Sequence, residues 1–97
     1  VKIGWSPLSL ERLGNIYEFI SDKDPVAAQS LINRLFERIE SLTRYPERGR
    51  KVPEVNRNEI REIFEGEYRI IYKIEPKKIL ILTIRNFKQL LPTADIK

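Results

Sequence analysis

The hydrophobic period of this chain changes once, and that change limits the fold more than any other feature. Over residues 7–42 apolar side chains return every three or four positions, whereas over residues 60–85 they alternate. A helical half followed by a sheet half leaves few architectures open. Each expected helix starts with a capping side chain and then a proline, Ser6-Pro7 and Asp24-Pro25, the pattern of an N-cap and first helical position. Leu10, Leu13, Ile16, Tyr17 and Ile20 form the apolar face of the first helix, which ends near Ser21. Ala28, Leu31, Ile32, Leu35, Ile39 and Leu42 form that of the second, which Pro46 closes. A tight turn around residues 22–24 folds the two into an antiparallel hairpin. Gly14 within the first helix costs about 1 kcal/mol relative to Ala, so a packing reason is expected for it.

A short strand is expected at Lys2–Trp5. Residues 46–58, with Pro46, Gly49 and Pro53, show no period and read as a basic loop. Three strands follow: Ile60–Phe64, Tyr68–Ile74 and Ile79–Arg85, the last apolar on both faces and therefore central. The order β-α-α-β-β-β gives an α+β fold, an antiparallel helix hairpin packed on one face of a small, mostly antiparallel sheet. Residues 1–97 are expected to form a single domain, with 87–97 as a tail that a partner orders.

What the chain lacks narrows its chemistry. It contains no Cys and no His. Thiolate nucleophiles, disulfides, Cys/His zinc sites and histidine acid–base pairs are therefore absent from the sequence, and no metal or cofactor is implied. Its longest apolar runs, such as Ile79–Leu82, fall far short of the ~20 residues that cross a bilayer. No secretory leader pattern stands at the amino end. The expectation is a soluble cytoplasmic protein without a membrane partner.

Charge is unevenly placed. Residues 1–43 hold five Lys/Arg against six Asp/Glu, and residues 44–97 hold thirteen against eight, so the whole net charge of +4 comes from the second half. Much of it lies in Arg44-Tyr-Pro-Glu-Arg48-Gly-Arg50-Lys51. Such asymmetry suits an anionic partner, and equally a solvated face that maintains solubility. On the strand 68–74, alternation sends Arg69 and Lys73 away from Tyr68, Ile70 and Tyr72. If the helices cover the tyrosine face, the other face presents guanidinium groups, suited to phosphate or carboxylate. The candidate target-binding set is Arg48, Arg50, Lys51, Arg61, Arg69, Lys73 and Arg85. That Arg61, Arg69 and Arg85 converge on one face is inferred, since separate strands do not fix one another's parity. Arg69 is alternatively a surface partner of Glu62 or Glu65, worth about 0–1 kcal/mol, and Tyr68 and Tyr72 are alternatively core residues.

The ordered set Ile3-Gly-Trp5-Ser-Pro7, Asp24-Pro25-Val-Ala-Ala28, Tyr45-Pro46-Glu-Arg48-Gly49-Arg50, Arg61-Glu-Ile, Tyr68-Arg69-Ile-Ile-Tyr72 and Ile79-Leu-Ile-Leu resembles the RelE/ParE superfamily of toxins from type II toxin–antitoxin operons, the plasmid stabilisation proteins. The likeness runs from Ile3 to about Phe87. It implies a growth-arresting toxin bound in a hetero-oligomer by a cognate antitoxin, with Phe19, Phe36 and Phe87 as antitoxin contacts. RelE-like members cleave messenger RNA on the ribosome; ParE-like members poison DNA gyrase. The Pro-x-x-Gly-Arg loop and the paired opening helices are ParE-like. Arg69 matches the strand Arg that RelE-like enzymes set on phosphate. Against that, Ile60 and Glu62 stand where basic residues are usual, Gln89 near the place of a further Arg, and residues 87–97 hold no Tyr. Many ParE-like chains carry a His where Arg85 stands. Were the chain a ribosome-dependent nuclease, its catalytic set would be Arg61, Arg69, Tyr72 and Arg85, with Glu62 or Glu65 as base. Tyr near pKa ~10 and Arg above ~12 are poor proton shuttles at neutral pH. Gyrase inhibition is therefore the leading expectation, with RNA cleavage on the ribosome, or an inactive antitoxin-binding remnant, as alternatives.

Overall fold

In a computed structural model, which describes residues 1–89 and 91–96, both helices begin at their prolines. Helix α1 spans Pro7–Ser21 and α2 spans Pro25–Ser41. The Ser6 hydroxyl accepts the Ser9 amide at 3.0 Å and donates to the Leu82 carbonyl at 2.8 Å, so the cap also fastens α1 to the sheet. Asp24 caps α2 by accepting the Ala27 amide at 3.1 Å.

The strands are β1 (Lys2–Trp5), β2 (Arg50–Lys51), β3 (Ile60–Glu65), β4 (Tyr68–Ile74) and β5 (Lys78–Asn86). They form one sheet in the order β1-β5-β4-β3-β2. β1 runs parallel to β5 and the remaining pairs are antiparallel. β5 is thus interior, which its apolar residues on both faces require. The hairpin lies on one face, where Leu31, Leu35 and Ile39 of α2 and Leu42 just beyond it meet Ile63, Ile70, Tyr72, Ile79, Ile81 and Ile84. Burial of this surface is the main force holding the fold.

Three expectations need correction. β2 pairs within the span read as pure loop, because Arg50 and Lys51 find open backbone groups on β3 opposite Glu62 and Arg61. The far face of the sheet is not a bare guanidinium surface. Val52, Ile60, Ile71, Leu82 and Leu91 form a second small core there, with Val55, Leu80 and Ile96 at its margin. Within the expected tail, Leu91 and Asp95 are buried and a 3₁₀ turn runs through Thr93–Ile96. Gly14 has no packing reason, since a Cβ there would meet nothing within 4 Å.

A bulge refines the register of β5. Ile71 lies opposite Thr83 while Tyr72 lies opposite Ile81, leaving Leu82 as the extra residue. Ile79, Ile81 and Ile84 thereby reach the helix-side core while Leu80 and Leu82 serve the opposite one.

Candidate functional site

Cross-strand pairing settles which arginines share a face. Arg69 of β4 is directly opposite Arg85 of β5, so both side chains leave the sheet on the side away from the helices. Arg61 of β3 is opposite Tyr72, which belongs to the helix-side core. The three therefore do not converge, because Arg61 sits at the other parity of its strand. Two like charges at directly opposed positions repel, and each of Arg69 and Arg85 has its own carboxylate.

Arg69 is only 6% exposed. Its Nε and Nη2 lie 2.7 and 2.6 Å from Oε1 of Glu62, and Nη1 and Nη2 lie 2.8 and 3.0 Å from the two oxygens of Glu54. Glu62, itself 1% exposed, accepts a further bond from Arg50 Nε at 2.6 Å. The pairing of Arg69 with Glu62 is thus buried rather than superficial, Glu65 has no part in it, and Glu54 from the loop completes it. Hydrogen bonding from Arg69 holds the Glu54 carboxyl below its ordinary pKa, and bonding to Glu54 raises that of Arg69. Glu65 instead accepts from Arg34 and Arg38 of α2 at 3.3 and 3.2 Å.

Tyr72 is fully buried and its hydroxyl works on the loop. It donates to the Pro46 carbonyl at 2.7 Å and accepts the Gly49 amide at 2.9 Å. Desolvation raises the phenol's pKa, opposed by the bond from Gly49. Gly49 is required for closeness: an added Cβ would come within 2.5 Å of the Glu62 carbonyl oxygen and 2.6 Å of the Tyr72 hydroxyl. Arg61 ties the same loop from its outer side, donating to the Gly49 carbonyl at 2.9 Å and to the Asn58 carbonyl at 3.0 Å. Arg61, Arg69, Tyr72, Glu62 and Glu65, suggested for acid, base and charge stabilisation, therefore lie on both faces of the sheet, each bonded to partners within the chain.

The remaining basic candidates differ. Arg48 and Lys51 are exposed and Lys73 is partly so; among the described residues none of the three forms an ion pair. Arg50 is exposed despite its bond to Glu62 and covers the ring of Phe64, 5.4 Å from its centroid. Arg44 and Tyr45, part of the basic run but outside the candidate binding set, are exposed in the same segment. Tyr45, Pro46, Glu47, Arg48 and Ile74 line an open cleft of about 790 Å³. An exposed tyrosine between two arginines in sequence was the available signal. Nothing in the sequence marked Glu54.

Arg85 belongs to a separate cluster. Its Nη1 lies 3.1 Å from Oδ2 of Asp95, which Thr83 Oγ1 also reaches at 3.2 Å, while Arg12 of α1 approaches Asp95 at 3.4 Å. Of the aromatic candidates, Phe19, Phe36 and Phe87 are 67, 45 and 48% exposed. Phe19 borders the cleft beside Tyr68 and Asn86. Phe36 instead packs on Trp5, with centroids 5.5 Å apart. No helix among the described residues is long and apolar enough to cross a membrane.

A family model described as ParE toxin of type II toxin-antitoxin system, parDE, matches residues 3–91. The solved chromosomal ParDE TA system from P. aeruginosa is similar in fold, with a TM-score of 0.73 over 89% of this chain and 95% of that one at 18% sequence identity. No curated protein matches the sequence.

Proposed function

The chain belongs to the ParE toxin family of type II toxin–antitoxin systems, and we propose that it arrests growth by docking on DNA gyrase rather than by cutting RNA. The observation that carries this reading is the division among its basic residues. Arg69 and Tyr72, needed for strand catalysis, are buried and fully engaged. Arg48 and Lys51 are exposed and form no ion pair among the described residues, and Arg48 lines a cleft together with Tyr45. A charged loop with an aromatic contact asks only for a complementary acidic surface, towards which charge steers association. Cleavage on the ribosome would require Arg69 and Glu62 to separate before either met substrate.

The family implies an antitoxin partner. We assign its contacts to Phe19 and Phe87 at one end of the molecule and Phe36 beside β1, a spacing that suits an extended segment wrapping the chain. Binding in such a complex would keep the toxin inactive in the cytoplasm. Inducible expression tests the proposal. Growth arrest should be relieved by the co-expressed antitoxin, and loss of supercoiling should precede loss of protein synthesis. Early arrest of translation with supercoiling intact would favour ribosome-dependent cleavage. Unimpaired growth of a gyrase-bearing host would favour an inactive remnant.

A further inference from the structure

The cluster at the end of β5 differs from that of Glu65, another carboxylate that faces two arginines, in its deeper burial and in the guanidinium nitrogens it leaves unmatched. Asp95 is 6% exposed and receives three donors from two elements: Arg12 of α1, and Thr83 and Arg85 of β5. All the contacts are long. Arg12 Nη2 stands 3.4 and 3.5 Å from the two carboxylate oxygens, Thr83 3.2 Å and Arg85 3.1 Å from one of them. Charge-assisted bonds settle near ~2.7–2.9 Å when unhindered, and Arg69 attains 2.6–2.8 Å in its shortest contacts with Glu62 and Glu54. Two guanidinium groups facing one carboxylate leave a local charge of +1. Among the described residues, the Nε atoms of both Arg12 and Arg85 are buried without an acceptor. An unsatisfied buried donor keeps its desolvation penalty without a compensating bond.

A cleft of about 490 Å³ adjoins these arginines, lined also by Asn15, Phe19, Asn86 and Gln89. The acceptor now in place belongs to a short 3₁₀ turn held chiefly by buried Leu91, partly buried Ile96 and the Asp95 contacts. We infer that Arg12, Thr83 and Arg85 form a carboxylate-binding site which the chain's own Asp95 fills in the free protein, and which takes an acidic side chain from a binding partner when the terminal turn lifts away. The incoming side chain would enter through the cleft, where Phe19 offers apolar contact and the two free Nε–H groups offer better-matched donors. The inference needs no particular toxic target and stands apart from the docking proposal.

Nuclear magnetic resonance of the arginine Nε–H groups reads the site directly, with acetate as the carboxylate probe and inorganic phosphate as the comparison at matched ionic strength. In the full chain carrying Asp95→Asn, acetate should shift the Arg12 and Arg85 signals saturably while exposed Arg57 stays unchanged. Wild type should need about tenfold more acetate, because its own occupant competes. In wild type, acetate should also speed hydrogen exchange at the Asp95 amide, a readout that holds even if the variant folds poorly. Linear shifts shared with Arg57, or Asp95 exchange indifferent to acetate, would overturn the assignment. Phosphate binding tighter than acetate would replace the carboxylate class with a phosphate one.

Discussion

Arg69 and Glu62 meet at 2.7 Å inside the fold, one 6% and the other 1% exposed, on adjacent strands. Removing one member of such a pair strands the other charge in low dielectric. Arg69→Ala should therefore destabilise the protein by about 3–5 kcal/mol, measured by urea unfolding. Loss of toxicity in that variant alone would report unfolding as readily as a lost phosphate contact. A joint Arg69→Met/Glu62→Leu variant should recover much of the stability, since the two charges leave together.

Tyr72→Phe tests the loop anchor. It leaves the Gly49 amide and the Pro46 carbonyl without their partner, at a cost of about 1–3 kcal/mol. Gly49→Ala should be no milder, because its Cβ would collide with backbone as well as with the tyrosine hydroxyl. Thermal unfolding of the two variants checks both.

Gly14→Ala should act in the opposite direction. The position is exposed, lies mid-helix and has free space around it. The gain expected is about 0.5–1 kcal/mol, visible as a higher melting temperature.

The pH profile has two limbs of opposite sign. Glu54 is held below its ordinary 4.5 chiefly by the hydrogen bond from Arg69. A depressed carboxyl adds stability that is complete above the ordinary value and disappears as pH falls through the lowered one. Because Glu54 is over a third exposed, that contribution is modest. Burial raises Tyr72 above its ordinary 10.0, so the folded state binds that proton more tightly. Its contribution is present below pH 10.0 and is lost as pH rises through the elevated value. Glu54→Gln should flatten the acid limb and Tyr72→Phe the alkaline one in denaturation series.

How far these relationships were legible depended on whether local rules governed them. Ser6-Pro7 and Asp24-Pro25 fixed both helix starts because a cap and a proline act within one turn. Alternation fixed Tyr68–Ile74 to the residue. The second core escaped notice because Val52, Val55, Leu91 and Ile96 share no period; only tertiary folding brings them over Ile71 and Leu82. The extra residue at Leu82 likewise breaks the alternation from which a face would be read. Arg69 and Arg85 were legible as strand residues, and Glu62 as a candidate partner of Arg69, but Glu54 and Asp95 were not. Glu54 and Asp95 arrive from a loop and from the tail, and pairing over such distances leaves no spacing signal. Asp95, the one acidic residue beyond β5, was the available hint.

If the exposed basic loop carries toxicity by acting on gyrase, as proposed, purified gyrase should lose supercoiling activity in the presence of the protein. Wild type should inhibit, whereas Arg48→Glu/Lys51→Glu should lose inhibition while unfolding within about 0.5 kcal/mol of wild type, as surface substitutions do. Unaffected supercoiling by a folded wild-type protein that cuts messenger RNA on translating ribosomes would overturn the gyrase proposal.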